Sequence, residues 1–460
     1  MSNLKTPPAG LAIILIVGPS LVWCSEYIGS GEVVLATRTG AILGPAVLWA
    51  VISGVFLKFW IGMSGARYTV ATGEGMIDMI SRIPGPRNWG VWIVMIAQLF
   101  GAVIAIGSLA NAAGVFLSNL LSLDAKVCGW GVAVFAFAIS WSGEYKVLKV
   151  IMSVLIFIVI VGILYVAAYA FPGWKEILSG FIPGESVVPQ WALDKGIDPN
   201  PWKEILPLIG WGAGGFASQV WYSYWIMGAG YGMTKKNIYG KAADEQLLKN
   251  LDIDSARKIK GWFNVVYTDA SVAMIIGVVI TGCFLIAGSG VLGPMHMAPE
   301  GPSLAVDLSN IFASKWSKLG GFLFMLGGAA ALISTQIGQQ AGWPRLLADS
   351  FRICFPRFGR IPWKKQYRGF LIFFFITNMT IVFTLGLQPV ALLKAGAIVD
   401  GILLTPLQAL WVFAGIFIVQ KRLFNPEVSE ILKPHWIFGV ILLVAFGVFA
   451  WFVLHLPAML

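Results

Sequence analysis

Charge is what this sequence has least of. Only 12% of its 460 residues are Asp, Glu, Lys or Arg, against about 25% in soluble globular domains. A chain so poor in charge cannot dress a globular surface for water, so a soluble fold is excluded. Cysteine is also scarce. Cys24, Cys128, Cys283 and Cys354 stand far apart, with no CxxC pair. That spacing gives neither a disulfide framework nor a thiolate metal site, and leaves four apolar buried thiols. The three histidines, His296, His435 and His455, are scattered, and His296 sits in a loop motif, Met295-His296-Met297, too short to define a metal site. The chain lacks a GxxxxGK[ST] phosphate loop, an HExxH pair and a G-x-S-x-G elbow. ATP-driven transport and standard hydrolase chemistry therefore have no residues to run on. The expectation is a protein that is not an enzyme and takes no cofactor.

Apolar side chains fill the space that charge leaves. They make up 58% of the sequence, with 30 Phe and 20 Trp. Runs of about 18 residues or more, enough to cross a bilayer, recur along the whole length. They place eleven spans at 9–36, 42–63, 89–118, 127–143, 147–171, 204–231, 260–288, 319–343, 368–387, 391–419 and 435–456. The first run is too long for a cleaved signal and lacks a small-residue cleavage site. Lys and Arg segregate sharply between alternate connections: 23 lie on the side of the N-terminal tail and 6 on the other, while Arg38, Lys58 and Lys394 fall within or beside spans. The positive-inside rule then predicts a multi-pass protein of the cell (inner) membrane, N-terminus cytoplasmic and C-terminus outside. The net charge of +10 is thus accounted for by orientation, and nucleic acid is not expected as a partner. The expected partners are the lipid bilayer and a small ion or small-molecule substrate, met by a monomer.

Two spans carry a break. In the first, the stretch YIGSGEVVLATRTG, Tyr27 to Gly40, brings Gly29, Ser30, Gly31 and Glu32 to membrane depth. In the sixth, GWGAGGFASQ, Gly210 to Gln219, brings four glycines and Ala217, Ser218 and Gln219. Glycine weakens a helix by about 1 kcal/mol relative to alanine, and a carboxylate at the bilayer centre costs roughly 2.5–3.5 kcal/mol on insertion scales. Paired interruptions at corresponding positions point to a transporter site at the midplane, where unwound backbone lines a cavity. Glycines that merely allow close helix packing are the plainer reading of either break taken alone. The predicted fold is an all-α polytopic domain over 1–460. It is a 5+5 inverted repeat, 9–171 and 204–419, with discontinuous helices 1 and 6 and an additional helix at 435–456.

At these residues the chain resembles the Nramp family of divalent metal transporters, within the amino acid–polyamine–organocation superfamily. Gly18-Pro19 followed by Tyr27-Ile28 is similar to the family's GP…YIDPGN; Ala66-Arg67 followed by Thr72-Gly73 is similar to its AR…TG; and Thr268-Asp269 is similar to its TDS. The resemblance sets the DPGN motif on Gly29, Ser30, Gly31 and Glu32, so the metal-binding aspartate is replaced by Gly29 and the asparagine by Glu32. It sets MPH on Ala217, Ser218 and Gln219, and a later histidine on Tyr224. The two acids of the family's proton route fall on Leu99 and Ala102, and a glutamine of span 10 on Leu404. The same stretch, YIGSGEVV, is similar to the IGSGIF of amino acid transporters, where glycine N–H groups receive a substrate carboxylate.

The resemblance implies a secondary transporter of the Nramp-like type, working by alternating access on a small cation. With the thioether position now Ala217, the cation would be a hard divalent ion such as Mg²⁺ or Mn²⁺. A transporter of a small organic solute such as an amino acid, or a non-transporting sensor on the same fold, are the alternatives. The substrate-binding candidates are Gly29, Ser30, Gly31, Glu32, Ala217, Ser218 and Gln219, with Glu32 as the metal ligand. Glu26, Glu32, Asp400 and Lys58 are candidates for an ion or proton pathway, because lone intramembrane charges face an interior or a partner. Asp269 is expected to act as a cap or gate. The stripe Ser334, Thr335, Gln336, Gln339 and Gln340 is expected to hold helices together.

Overall fold

The structure is a computed structural model that describes residues 4–298, 318–384 and 389–459. Most of the connection 289–318, with Lys315, lies outside the described residues. Among the described residues the chain is helical, without strands. The helices that matter for the site are α1 (Pro19–Tyr27), α2 (Thr37–Leu43), α3 (Leu48–Thr72), α4 (Trp89–Leu121), α5 (Ala125–Ser140), α6 (Tyr145–Tyr169), α7 (Trp202–Trp211), α8 (Phe216–Ala229), α9 (Ile253–Ala287), α10 (Lys318–Cys354), α11 (Trp363–Thr384), α12 (Pro389–Ile398), α13 (Thr405–Ala414) and α14 (Trp436–Met459).

Seven helical segments among the described residues are long and apolar enough to cross a membrane. They correspond to expected spans 2, 3, 5, 7, 8, 10 and 11. The other four expected spans behave differently. Span 4 is the shorter apolar helix α5, and span 9 lies on α11. Spans 1 and 6 are each split, into α1 and α2 and into α7 and α8.

Several helices overrun their predicted ends, for reasons visible in their caps. The span expected at 260 begins at Ile253, because the Asp252 side chain accepts from the Ser255 N–H at 2.7 Å and caps the helix. Helix α10 continues to Cys354 and carries Arg345 and Arg352 with it. These two cations lie past the span's expected end at 343 and have partners on α10 and on neighbouring segments. Arg352 pairs with Asp78 at 2.9 Å and Asp349 at 3.1 Å, and Arg345 donates to the Gly143 carbonyl at 2.8 Å. The Pro- and Trp-rich segment 172–203 packs on the start of α3: Trp49 N–H donates to the Gly180 carbonyl at 2.7 Å.

Glycines set how closely the interrupted helices approach their neighbours. A Cβ on Gly40 would land on the Leu285 carbonyl of α9, and one on Gly288 would land on the Thr37 carbonyl. At the end of α7, a Cβ on Gly401 would meet the backbone of Gly210, and one on Gly210 would meet Ala397. Backbone therefore touches backbone where α7 ends against the π-helical turn Val399–Leu403. Gly401→Ala should destabilise the detergent-solubilised protein by about 1–3 kcal/mol, the usual cost of overpacking. Gly447→Ala, whose Cβ would meet nothing within 4 Å, should leave the melting midpoint unchanged.

Candidate functional site

The first break begins where α1 ends at Tyr27. Ile28 is extended, with φ −76° and ψ 92°, and the chain resumes as a π-helical turn, Gly31–Ala36, that runs into α2. No side chain fits at Gly29 or Gly31: a Cβ there would collide with Thr335 of α10 or with the Trp211 ring at the end of α7. The freed Ile28 carbonyl accepts from Thr335 Oγ1 at 3.2 Å, and the Ser25 carbonyl accepts from Ser334 Oγ at 2.7 Å. Ser334 and Thr335 of the predicted stripe are thus the partners of this break. The side-chain nitrogen and oxygen of Gln336 are buried without a hydrogen-bond partner.

Glu32 answers the other end of the same break. Its carboxylate folds back three residues and accepts the Gly29 N–H at 2.7 Å, while Thr281 Oγ1 of α9 lies 3.4 Å from its other oxygen. A carboxylate at the N-terminal end of a helical segment satisfies an orphan donor and sits well against the dipole. Glu26, on the last turn of α1, accepts from Ser218 Oγ at 2.6 Å, and Ser218 in turn accepts from Trp23 Nε1 at 3.1 Å. This relay fastens α1 to α8, and the Trp23 ring stacks on Tyr222 at 4.3 Å.

The second break runs from Gly212 to Gly215. Ala213 and Gly214 both take left-handed backbone, with φ 55° and 74°. Glycine adopts this freely; alanine at that φ is uncommon and holds strain at the site. Lys58 of α3 donates to the carbonyls of Ile209 (3.2 Å), Gly210 and Gly214 (3.0 Å). Gln219 Nε2 takes the Ala213 carbonyl at 3.1 Å, which leaves its Oε1 buried and unpartnered. Asp400 sits against Gly215, lies 3.4 Å from the Ala217 N–H and accepts from Gln98 Nε2 at 2.6 Å. Gln98 Oε1 then accepts from Trp343 Nε1 at 2.7 Å. Gln408 donates to the Phe216 carbonyl at 2.9 Å.

The predicted residues therefore gather around the two breaks and divide by role. Glu32 closes the first break on itself, Lys58 and Asp400 take opposite ends of the second, and Glu26 and Ser218 join the two. Lys58 spends its donors on backbone carbonyls. All these groups are buried, Lys58 at 0% and Glu32 at 1% exposure. Among the described residues, no three of His, Cys, Asp and Glu gather as a metal-binding group. Sequence reasoning missed Gln98, Thr281, Gln408 and Trp343. They are ordinary polar or aromatic residues of apolar helices, and no local pattern marks them.

Two latches flank the crossing. On one side Glu204 of α7 receives Arg38 of α2 at 3.1 Å and Lys394 of α12 at 2.8 Å. On the other, Asp269 of α9 accepts the N–H groups of Gly18 and Ser20 at 2.9 and 2.8 Å, and the Tyr222 hydroxyl at 2.8 Å. Asp269 thus caps α1 from a different helix and ties it to α8.

Fold and site together define a multi-pass helical membrane protein with two interrupted helices crossing at its centre. The sequence profile described as natural resistance-associated macrophage protein-like, Nramp, matches residues 20–192. Metal transporter Nramp3.1 of Populus trichocarpa is 26% identical over 171 residues, 36% of this chain and 34% of the relative. A divalent metal cation transporter, MntH, of Chromohalobacter salexigens is 23% identical over 187 residues, 40% of this chain and 43% of the relative. These alignments span well under half of the curated relatives' length. A crystal structure of the manganese transporter of Eremococcus coleocola superposes with a TM-score of 0.66, covering 100% of this chain and 98% of that one at 14% identity. The chain is thus similar to Nramp proteins over residues 20–192, less than half of its length, and shares its fold with that manganese transporter.

Asp269→Ala removes two acceptor contacts at the start of α1 and one to Tyr222 of α8, and a lost helix cap costs about 0.5–2 kcal/mol. Cys24, at 0% exposure on α1, should then react faster with a membrane-permeant maleimide than in the unaltered protein, with Asp269→Asn in between.

Proposed function

We propose that this protein is a secondary transporter of the Nramp-like type that moves a small cation by alternating access. The substrate is a hard divalent ion such as Mg²⁺ or Mn²⁺, and the chain is not an enzyme. The observation that carries the reading is a charge imbalance at the crossing. Three carboxyl groups, Glu26, Glu32 and Asp400, are buried there beside one ammonium, Lys58. That leaves negative charge for a small cation or for protons. The donor atoms have hard character: carboxylate, hydroxyl and amide oxygens from Glu26, Glu32, Ser218 and Gln219, with Ala217 in place of a thioether. Such oxygens suit Mg²⁺, Mn²⁺ or Ca²⁺, and a magnesium ion so sparsely liganded would keep several waters. The unpartnered Oε1 of Gln219 is an acceptor in want of a cation or a water-borne proton. The relatives named above are called metal transporters, which agrees with this class.

In this reading residues 9–171 and 204–419 are the two inverted repeats and 435–456 the additional helix. The chain sits in the cell (inner) membrane, N-terminus in the cytoplasm and C-terminus outside, as a monomer. The Glu204 and Asp269 latches are then the outer and inner gates. Both are closed around buried site residues, which is an occluded arrangement, and transport requires them to open in turn. An amino acid gains less from this geometry, because the Gly29 N–H that would receive its carboxylate is already held by Glu32.

The test is uptake into proteoliposomes, with Mg²⁺, Mn²⁺ and Ca²⁺ in one set and labelled amino acids in another. Glu32→Gln keeps an oxygen for the Gly29 N–H, so the fold should survive while the charge is lost. Saturable uptake of a divalent ion, reduced at least about tenfold in that variant, is expected; a lost charged contact is worth about 1.5–3 kcal/mol. Uptake of amino acids with no divalent uptake would overturn the reading.

A further inference from the structure

Lys58 holds the carbonyl end of the second break, and its place there has a further consequence for ion binding. It stands on a membrane-spanning helix at 0% exposure, and removing an ammonium from water costs several kcal/mol even after relaxation. A lysine in such a place needs a partner that repays it. Its partners are three carbonyl oxygens, those of Ile209, Gly210 and Gly214. A –NH₃⁺ group has three donors and no acceptor, and here each of three acceptors is a carbonyl. Three carbonyl acceptors match the three donors of the ammonium, whereas a neutral amine would turn a lone pair toward one of them.

The carbonyls come from a particular place. Ile209 and Gly210 are in the last turn of α7, whose C-terminal end carries the negative pole of the helix dipole. Gly214 is in the left-handed turn that follows. Freed carbonyls at a half-helix C-terminus are the atoms with which an interrupted transmembrane helix coordinates a monovalent ion. On the far side of the same turn, Asp400 lies against Gly215 and near the Ala217 N–H at the start of α8. The break is thus held between a built-in cation at its carbonyl end and a built-in carboxylate at its amide end.

We infer that the Lys58 ammonium is the resident cation of this break: it fills a carbonyl seat that would otherwise bind a monovalent cation, so the protein needs neither Na⁺ nor K⁺ there. Lys58 is a positioning residue in this account. It fixes the turn from Gly212 to Gly215 and neutralises the carbonyl end without exchanging with solvent ions.

The test is thermal unfolding of the full-length chain in detergent, which requires no transport assay and stands apart from the substrate question. Melting is followed in sodium, potassium, methylammonium and choline chlorides at equal ionic strength. The unaltered protein should melt at one midpoint in all four. Lys58→Ala empties the seat, so it should melt lowest in choline and be raised saturably, by a few degrees, by at least one of Na⁺, K⁺ and methylammonium, as for any ligand that binds only the folded state. Lys58→Arg keeps the charge and should remain indifferent to the salt. A saturable Na⁺ or K⁺ stabilisation of the unaltered protein overturns the inference, as does a Lys58→Ala midpoint that is the same in all four salts. If Lys58→Ala and Lys58→Met both fail to accumulate even in cells grown with the smaller cations, the seat cannot be refilled and the inference falls.

Discussion

An interrupted helix in hydrocarbon must find partners for every N–H and C=O that it releases, because no water is there to take them. The rest of this structure depends on how that requirement is met. At the first break, Thr335 takes the freed Ile28 carbonyl and Glu32 takes the Gly29 N–H. At the second, Lys58 and Gln219 take the carbonyls, and Asp400 approaches the Ala217 N–H. Each helix end meets a charge or dipole of the opposite sign, which is the arrangement the helix dipole favours. Both breaks are therefore finished structures, and a substrate must bind by adding to them or by displacing a protein group.

The three cations that the sequence places within or beside spans share one destination. Arg38 and Lys394 reach Glu204 near the start of α7, and Lys58 reaches its end. Helix α7 is thus gripped along its length by basic side chains from α2, α3 and α12. Helix α8, past the break, is held differently: by the Glu26–Ser218 contact and by Tyr222 on Asp269. Both half-helices also pack on α3, and the Gly212–Gly215 turn between them is held by Lys58 and Asp400.

The fold is shared with a manganese transporter at 14% identity, a distance at which architecture persists and site chemistry need not. The architecture survives because it is carried by span lengths, close glycine contacts and the crossing of two broken helices. The chemistry is carried by a few side chains. In this chain those side chains include a lysine on backbone carbonyls and a glutamate folded onto its own helix end, which gives the crossing its own balance of charge.

The sequence by itself determined the membrane setting, the positions of the breaks and the candidacy of Glu26, Glu32, Lys58 and Asp400. Hydrophobic runs, glycine clusters and isolated charges are local signals, and each has one dominant physical cause in a bilayer. Gly29 and Gly31 were legible as a break only because a second glycine cluster, Gly210 to Gly215, stands at the corresponding place in the sixth span. The pairing of charges was decided only by tertiary structure. Gln98, Thr281, Thr335 and Gln408 look like any polar residue on an apolar helix until a broken helix end is set against them. Lys58 lies more than 150 positions from the carbonyls it holds, and Asp269 lies 251 from the Gly18 it caps. Which freed backbone group meets which side chain depends on how the helices pack, and no local stretch of sequence contains that information.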